Sequence, residues 1–176
     1  MENKTIAEMF QACSSRYATD ELLFYKESGR WNGITGKEIN CTVKDISFAL
    51  KSLGLGAGDH IAIQSNNSPM WAMADYGIIC TGAATVSIYP TLIPKQIQYI
   101  INNSHTKAVF VENIEQLDKI KSILSDCPMI KAIVVLDKTY KDSDGIVYAI
   151  NDFIDMGTDF QNKSEISFES MIESIN

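Results

Sequence analysis

The sequence predicts an α/β fold: three layers, with a mostly parallel sheet and crossover helices, preceded by an N-terminal helix and a β-hairpin. Three observations predict it. Four short segments, His60–Gln64, Thr85–Tyr89, Lys107–Val111 and Lys131–Leu136, alternate with stretches whose apolar residues recur at helical spacing. Strand–helix–strand alternation marks parallel pairing, because parallel neighbours need a crossover connection. The strands are also apolar along most of their length, as strands covered on both faces are. Ile63, Val86, Phe110 and Val134 are the expected centre of the core.

The elements follow in order. Thr5 caps a first helix with Glu8 as its reciprocal partner, and Ile6, Met9, Phe10, Cys13 and Tyr17 fall at helical spacing. Leu22–Lys26 and Trp31–Thr35 read as a hairpin turning at Gly29. Thr35 and Glu38 form a second capping box. The helix it opens carries Ile39, Val43, Ile46, Leu50 and Leu53 on one face. Gly54, Gly56 and Gly58 resemble a dinucleotide-binding loop in spacing, but they follow a helix and precede a strand, the reverse of that loop's order. They read as a helix stop.

Ser68 and Pro69 cap the next helix, which runs to about Cys80. Trp71, Met73, Ala74, Tyr76, Ile78 and Ile79 make it apolar on most sides, so it should lie between the sheet and something else. Gly82 would let this helix pack closely on the sheet. Pro94 starts a helix with Ile97, Ile100 and Ile101, and Asn113 caps one with Ile114, Leu117, Ile120 and Leu124. After Asp137 the pattern weakens. Lys138–Gly145 is a polar loop, Ile150–Met156 a short helix, Gln161–Glu165 polar, and Phe168–Ile175 a final helix.

Composition excludes several function classes. Apolar residues make up 45% and charged residues 21%, the balance of a globular protein, and the formal net charge is −7 with no basic cluster. Nucleic acid is therefore not an expected partner, since phosphate binding needs a concentrated basic face. Cys13, Cys41, Cys80 and Cys127 lack the spacing of a zinc clasp or redox pair, and His60 and His105 have no partner at ligand spacing. No metal site is expected, and scattered cysteines suit a reducing, cytoplasmic setting. Met1–Lys4 does not begin a secretory signal. Met70–Ala84, the most apolar stretch, contains Asp75 and is too short to span a bilayer. The Asn-x-Ser/Thr sites at Asn40, Asn66, Asn102 and Asn162 then read as chance matches.

Catalytic patterns are absent. No serine sits in a nucleophile elbow and no lysine follows a glycine-rich phosphate loop. Asp152, Asp155 and Asp159 read as a solvated helix face rather than a metal site. The residues thus name no catalytic, cofactor-binding or metal-binding side chain. Tyr89–Pro94 is the loop to watch, because ligands of open parallel sheets sit beyond the strands' C-terminal ends.

Several segments together resemble the N-terminal region of the AMP-forming adenylating superfamily. GITGKEIN (Gly33–Asn40) resembles its first core motif, LGLGAGDHIA (Leu53–Ala62) its helix stop and strand, and Ser65–Thr91 its second core motif with the helix leading in. The Asn-Ser-Pro-x-Trp and Ile-Tyr-Pro-Thr runs resemble the long-chain fatty acid–CoA ligase branch. KQIQYIINNSHTKAVFVEN and KAIVVLD continue the likeness, which extends from about Thr5 to Met156. Order and spacing carry it. Residue by residue these motifs read as structural, so no catalytic role passes to them.

The resemblance implies a parent enzyme that uses ATP, Mg and CoA to activate a fatty acid. It assigns no cofactor to this chain. Residues 1–136 are the expected N-terminal α/β subdomain of the AMP-binding enzyme, and 137–176 a weaker loop and short-helix extension. The family's Ser/Thr/Gly-rich phosphate loop ending in Pro-Lys-Gly does not occur in these residues, nor do its later glutamate and C-terminal lysine. The expectation is an inactive fragment ending before that loop. Its expected partner is the rest of the parent chain, with a homodimer and a peripheral membrane contact of the parent as further partners. Trp71, Met73 and Tyr76 are the candidates for an uncovered apolar patch. The competing reading is a stand-alone α/β module for small-ligand binding or dimerisation.

Overall fold

The structure is a computed structural model that describes residues 5–175. The Met1–Lys4 start, on which the expectation of no secretory signal rests, lies outside the described residues, as does Asn176.

Helix α1 (Ile6–Arg16) opens on its capping box: the Glu8 N–H donates to Thr5 Oγ1 (3.2 Å) and the Thr5 N–H to Glu8 Oε2 (3.3 Å). Strands β1 (Glu21–Glu27) and β2 (Arg30–Thr35) form the antiparallel hairpin. Ser28 (φ 49°) and Gly29 (φ 81°) are both left-handed, as a two-residue type I′ turn requires. Helix α2 (Gly36–Ser52) begins at the Thr35–Glu38 box. It ends in a Schellman motif, with the Gly54 N–H on Lys51 O (2.9 Å) and the Leu55 N–H on Leu50 O (3.0 Å). Gly54, at φ 69°, supplies the left-handed residue, so the helix-stop reading holds.

The main sheet comprises β3 (His60–Gln64), β4 (Ala84–Ile88), β5 (Thr106–Val111), β6 (Ala132–Val135) and β7 (Val147–Ala149). Their spatial order is β4-β3-β5-β6-β7 and every neighbouring pair is parallel. Helices α3 (Pro69–Ile79), α6 (Ile150–Lys163) and α7 (Phe168–Glu173) join α1 and α2 over one face. Helices α4 (Pro94–Asn103) and α5 (Ile114–Lys121) cover the other. Strand alternation divides the core accordingly. Ile61, Ile63, Phe110 and Val134 face the first layer, and Ala62, Val109, Ile133 and Val135 face the second.

Helix α3 is apolar all round because it is covered twice. It lies on the sheet and beneath α1 and α2, with Tyr76 stacked on Phe10 (ring centroids 4.6 Å) and the Ser47 hydroxyl 2.9 Å from the Gly77 carbonyl. A Cβ on Gly77 would stand 2.5 Å from Ile46 Cγ2, so a glycine is what lets α2 and α3 approach.

Several expectations need correction. Val86 is half-exposed, whereas Ile63, Phe110 and Val134 are fully buried, because β4 is an edge strand. Met73 is in the core, and Trp71 and Tyr76 pack against it, so the uncovered apolar residues lie elsewhere. They include Trp31, 70% exposed, and Phe24 on the hairpin, and Tyr89, 77% exposed, and Ile114 at the C-terminal ends of strands. Gly82 (φ 80°) serves a left-handed turn after α3 rather than close helix–sheet packing. Helix α5 stops at Lys121, and Leu124 starts a separate 3-10 turn. Strand β7 was not expected, and α6 does not stop at Met156 but runs on to Lys163, into the stretch Gln161–Glu165 read as polar.

Candidate functional site

The strand order creates a topological switch point. From β3 the chain leaves through α3 toward β4 on one side, and α4 then returns it across β3 to β5 on the opposite face. The chain therefore leaves the paired C-terminal ends of β3 and β5 toward opposite faces, and a crevice opens where doubly wound sheets bind ligands. A cleft of about 420 Å³ lies there. Its floor and wall are Met70 and Met73 of α3, Pro69 and Leu136, and the hairpin residues Tyr25 and Ile34 also line it.

Its polar rim is built from the residues that follow each strand. Glu112, after β5, accepts at Oε2 from both the Asn66 N–H (2.9 Å) and Asn66 Nδ2 (2.8 Å), tying the two ends of the switch together. Ser68 Oγ accepts from the Trp71 N–H (3.1 Å) and Asn113 Oδ1 from the Gln116 N–H (3.2 Å). Both are helix caps. Asp137 accepts from the Thr139 hydroxyl (2.7 Å) and N–H (2.8 Å), which hold its carboxyl below the usual range. Glu27 and Lys138 complete the rim.

This geometry bears on the chemistry. Ser68, Asn113, Glu112 and Asp137 are all engaged in turns, caps or loop ties. The rim carries Glu27, Glu112 and Asp137 against the single cation Lys138, a balance opposed to phosphate. Among the described residues no group of three or more His, Cys, Asp or Glu could hold a metal ion. His60 and His105 are exposed and stand at the N-terminal ends of β3 and β5, away from the cleft. Asp152, Asp155 and Asp159 are exposed on α6. The cysteines are free; Cys13 and Cys41 are exposed and Cys80 and Cys127 buried. Among the described residues no helix is long and apolar enough to cross a membrane.

The watched Tyr89–Pro94 loop follows β4, and it does not line the cleft. Lys119 Nζ donates to the Pro90 carbonyl (2.7 Å) and fixes it beside α5. The cleft residues were missed because the switch point depends on strand order, which no local pattern states. Ser65–Ser68 and Glu112–Asn113, polar runs closing apolar strands, were the available signal.

The family model described as "AMP-binding enzyme" matches residues 10–157. The chain is 26% identical over 170 residues to "Long-chain-fatty-acid--CoA ligase ACSBG1" of Rattus norvegicus, covering 97% of this chain and 23% of the relative. It is 31% identical over 159 residues to "Long-chain-fatty-acid--CoA ligase ACSBG2" of Mus musculus, covering 90% and 24%. The chain thus spans about a quarter of the length of the curated relatives it matches. Among solved structures it resembles the anthranilate CoA ligase AuaEII in complex with anthranoyl-AMP, with a TM-score of 0.72 and 25% identity over 86% of this chain and 27% of that one. The A-PCP didomain of carboxylic acid reductase from Segniliparus rugosus shares the fold, with a TM-score of 0.76 at 13% identity, covering 89% of this chain and 27% of that one.

Proposed function

The chain belongs to the AMP-binding enzyme family, and on that footing we propose that it is the N-terminal portion of an ATP-dependent long-chain fatty acid–CoA ligase. One observation carries the reading: an ordered family match across residues 10–157, shared with relatives named as such ligases. In the parent enzyme a fatty carboxylate and ATP give an acyl-adenylate and pyrophosphate. The CoA thiol then displaces AMP to form the thioester. Adenylation is needed because a carboxylate's own leaving group would be oxide, and phosphate charge must be stabilised throughout.

These 176 residues supply no such stabilisation. They contain no phosphate loop, and the cleft rim is net acidic. ATP, Mg and CoA are therefore assigned to the parent and not to any residue here, and the chain alone is inactive. A cytoplasmic setting and packing against the rest of the parent chain belong to the same proposal. Trp31, Phe24, Tyr89 and Ile114, exposed on the hairpin and beyond the strand ends, support the packing.

The test is radiolabelled pyrophosphate exchange into ATP with fatty acid present, beside ATP calorimetry. No exchange and undetectable or millimolar binding are expected. Micromolar ATP binding or turnover by this chain would reject the proposal and favour the second reading, a stand-alone small-ligand module, which the cleft at the switch point supports.

A further inference from the structure

The β1–β2 hairpin stands off the body as an arm. From Glu21 to Thr35 no residue is buried, although the arm lies along the cleft and lines it with Tyr25, Glu27 and Ile34. Alternation sorts its two faces. Leu23, Tyr25 and Glu27 share the cleft side with their ladder partners Ile34, Asn32 and Arg30, while Phe24, Lys26 and Trp31 share the outer side. Among the described residues no hydrogen bond, ion pair or ring contact joins residues 21–34 to the rest of the chain. The arm is held by apolar contact alone: Leu23 and Ile34 rest half-buried against the first-layer core, and Tyr25 lies over the cleft.

The root of the arm is fixed, in contrast. The Gly36 N–H donates to Asp20 O (3.0 Å) and the Lys37 N–H to Ala18 O (2.9 Å). A Cβ on the buried Gly36 would stand 3.0 Å from the Ser14 carbonyl oxygen, so the end of α1 and the start of α2 clamp this point. The ladder breaks just above the clamp. Glu21 pairs with Thr35 and Leu23 with Ile34, which leaves Leu22 as a bulge. A bulge bends its strand and interrupts the pairing. A regular two-stranded unit thus meets a clamped root at its one irregular point, which is where a hinge absorbs rotation.

We propose that the arm is a lid on the cleft, swinging as one two-stranded body about Leu22 and uncovering the floor at Met70 and Met73. Both methionines are almost closed to solvent, Met73 at 3% exposure. Opening breaks no hydrogen bond between arm and body and separates only the contacts of Leu23, Tyr25 and Ile34, so it lies well below global unfolding in free energy. The ladder inside the arm travels intact. Phe24 and Trp31, 55% and 70% exposed on the outer side, stay in water in both positions and do not oppose the motion. The lid governs entry of an apolar group to a floor made of Pro69, Met70, Met73 and Leu136. It is independent of the ligase reading, because its test follows the movement of this chain and not nucleotide chemistry.

The experiment is N-ethylmaleimide labelling of Met73→Cys in the 176-residue chain with Cys13→Ser and Cys41→Ser. Cys80, buried at the end of the same helix, is the internal reporter of global unfolding. Position 73 should label at least about a hundredfold faster than Cys80, with a rate that barely responds to low urea, as a local opening requires. Leu23→Ala loosens the arm at a residue that does not line the cleft, and should speed labelling at position 73 about tenfold. Met70→Cys, on the same floor, gives the same reading should Met73→Cys misfold. Labelling at the floor no faster than at Cys80 overturns the lid, because the cleft then opens only with the whole fold. A fast rate indifferent to Leu23→Ala overturns it too, because the floor is then reached without movement of the arm.

Discussion

Gly157 of α6 lies so close to Asp45 of α2 that a Cβ at position 157 would stand 1.9 Å from the Asp45 carbonyl oxygen. The contact is backbone on side-chain-free backbone, and neither helix can yield by turning a rotamer. Gly157→Ala should therefore destabilise by about 2–3 kcal/mol through overpacking, despite gaining about 1 kcal/mol of helix propensity. A urea-denaturation midpoint equal to or above wild type would refute this.

Glu112→Ala removes the acceptor shared by the Asn66 N–H and Nδ2. The expected loss is about 1–2 kcal/mol, with faster amide exchange confined to Asn66 and its neighbours. Glu112→Gln keeps an acceptor oxygen and should retain most of the protection. Equal exchange in all three proteins would show that the switch-point loop does not depend on this tie.

Asp59 and Asp45 should respond oppositely to pH. Burial pushes the Asp59 carboxyl up, but the Lys107 ammonium, the Gly56 N–H (3.0 Å) and the Lys131 charge outweigh it and leave it lowered. A lowered folded value gives stability that is present above the ordinary carboxylate range and is lost as pH falls through the folded value. Asp59→Asn should cost about 1 kcal/mol at pH 7 and almost nothing in strong acid. Asp45 is raised, chiefly by burial. Its stabilising contribution is complete below the ordinary range and is lost as pH rises through the folded value. Asp45→Asn should thus stabilise at neutral pH, with the gain shrinking on acidification. Parallel pH profiles for the two variants would contradict the assignment.

What was legible in the sequence was local. Thr5–Glu8 and Thr35–Glu38 are reciprocal pairs three residues apart, so both helix starts could be read directly. The segment Lys131–Leu136 declares itself by the unbroken apolar run from Ala132 to Leu136. Val147–Ala149 does not, because three residues become a strand only through pairing with β6. The side chains around the cleft could not be gathered for the same reason: hairpin, α3 and strand ends meet only once the strand order is fixed. The Gly157–Asp45 contact is likewise invisible in spacing.

Cys13 and Cys41 should react with a thiol reagent in the native state, while Cys80 and Cys127 should react only on unfolding. Burial raises the Cys127 thiol and pushes Cys80 up to about 12, leaving little thiolate and no access. Four rapid equivalents from the folded chain would contradict this.

Val134→Asp should abolish folding. The residue is fully buried on β6, and an unpaired carboxylate there costs several kcal/mol against a total stability of about 5–15 kcal/mol. A cooperative thermal transition near that of wild type would exclude the assigned register.

The α2–α6 contact also bears on synthesis. Helix α2 leaves the ribosome early and α6 near the end of these residues, yet each is the other's principal helical neighbour. Until α6 has been made, part of the α2 surface that surrounds Asp45 and Ala49 has no cover. The nascent chain thus carries an unpaired helical surface while the residues between α2 and α6 are made, an interval in which unfinished α/β domains are exposed to aggregation.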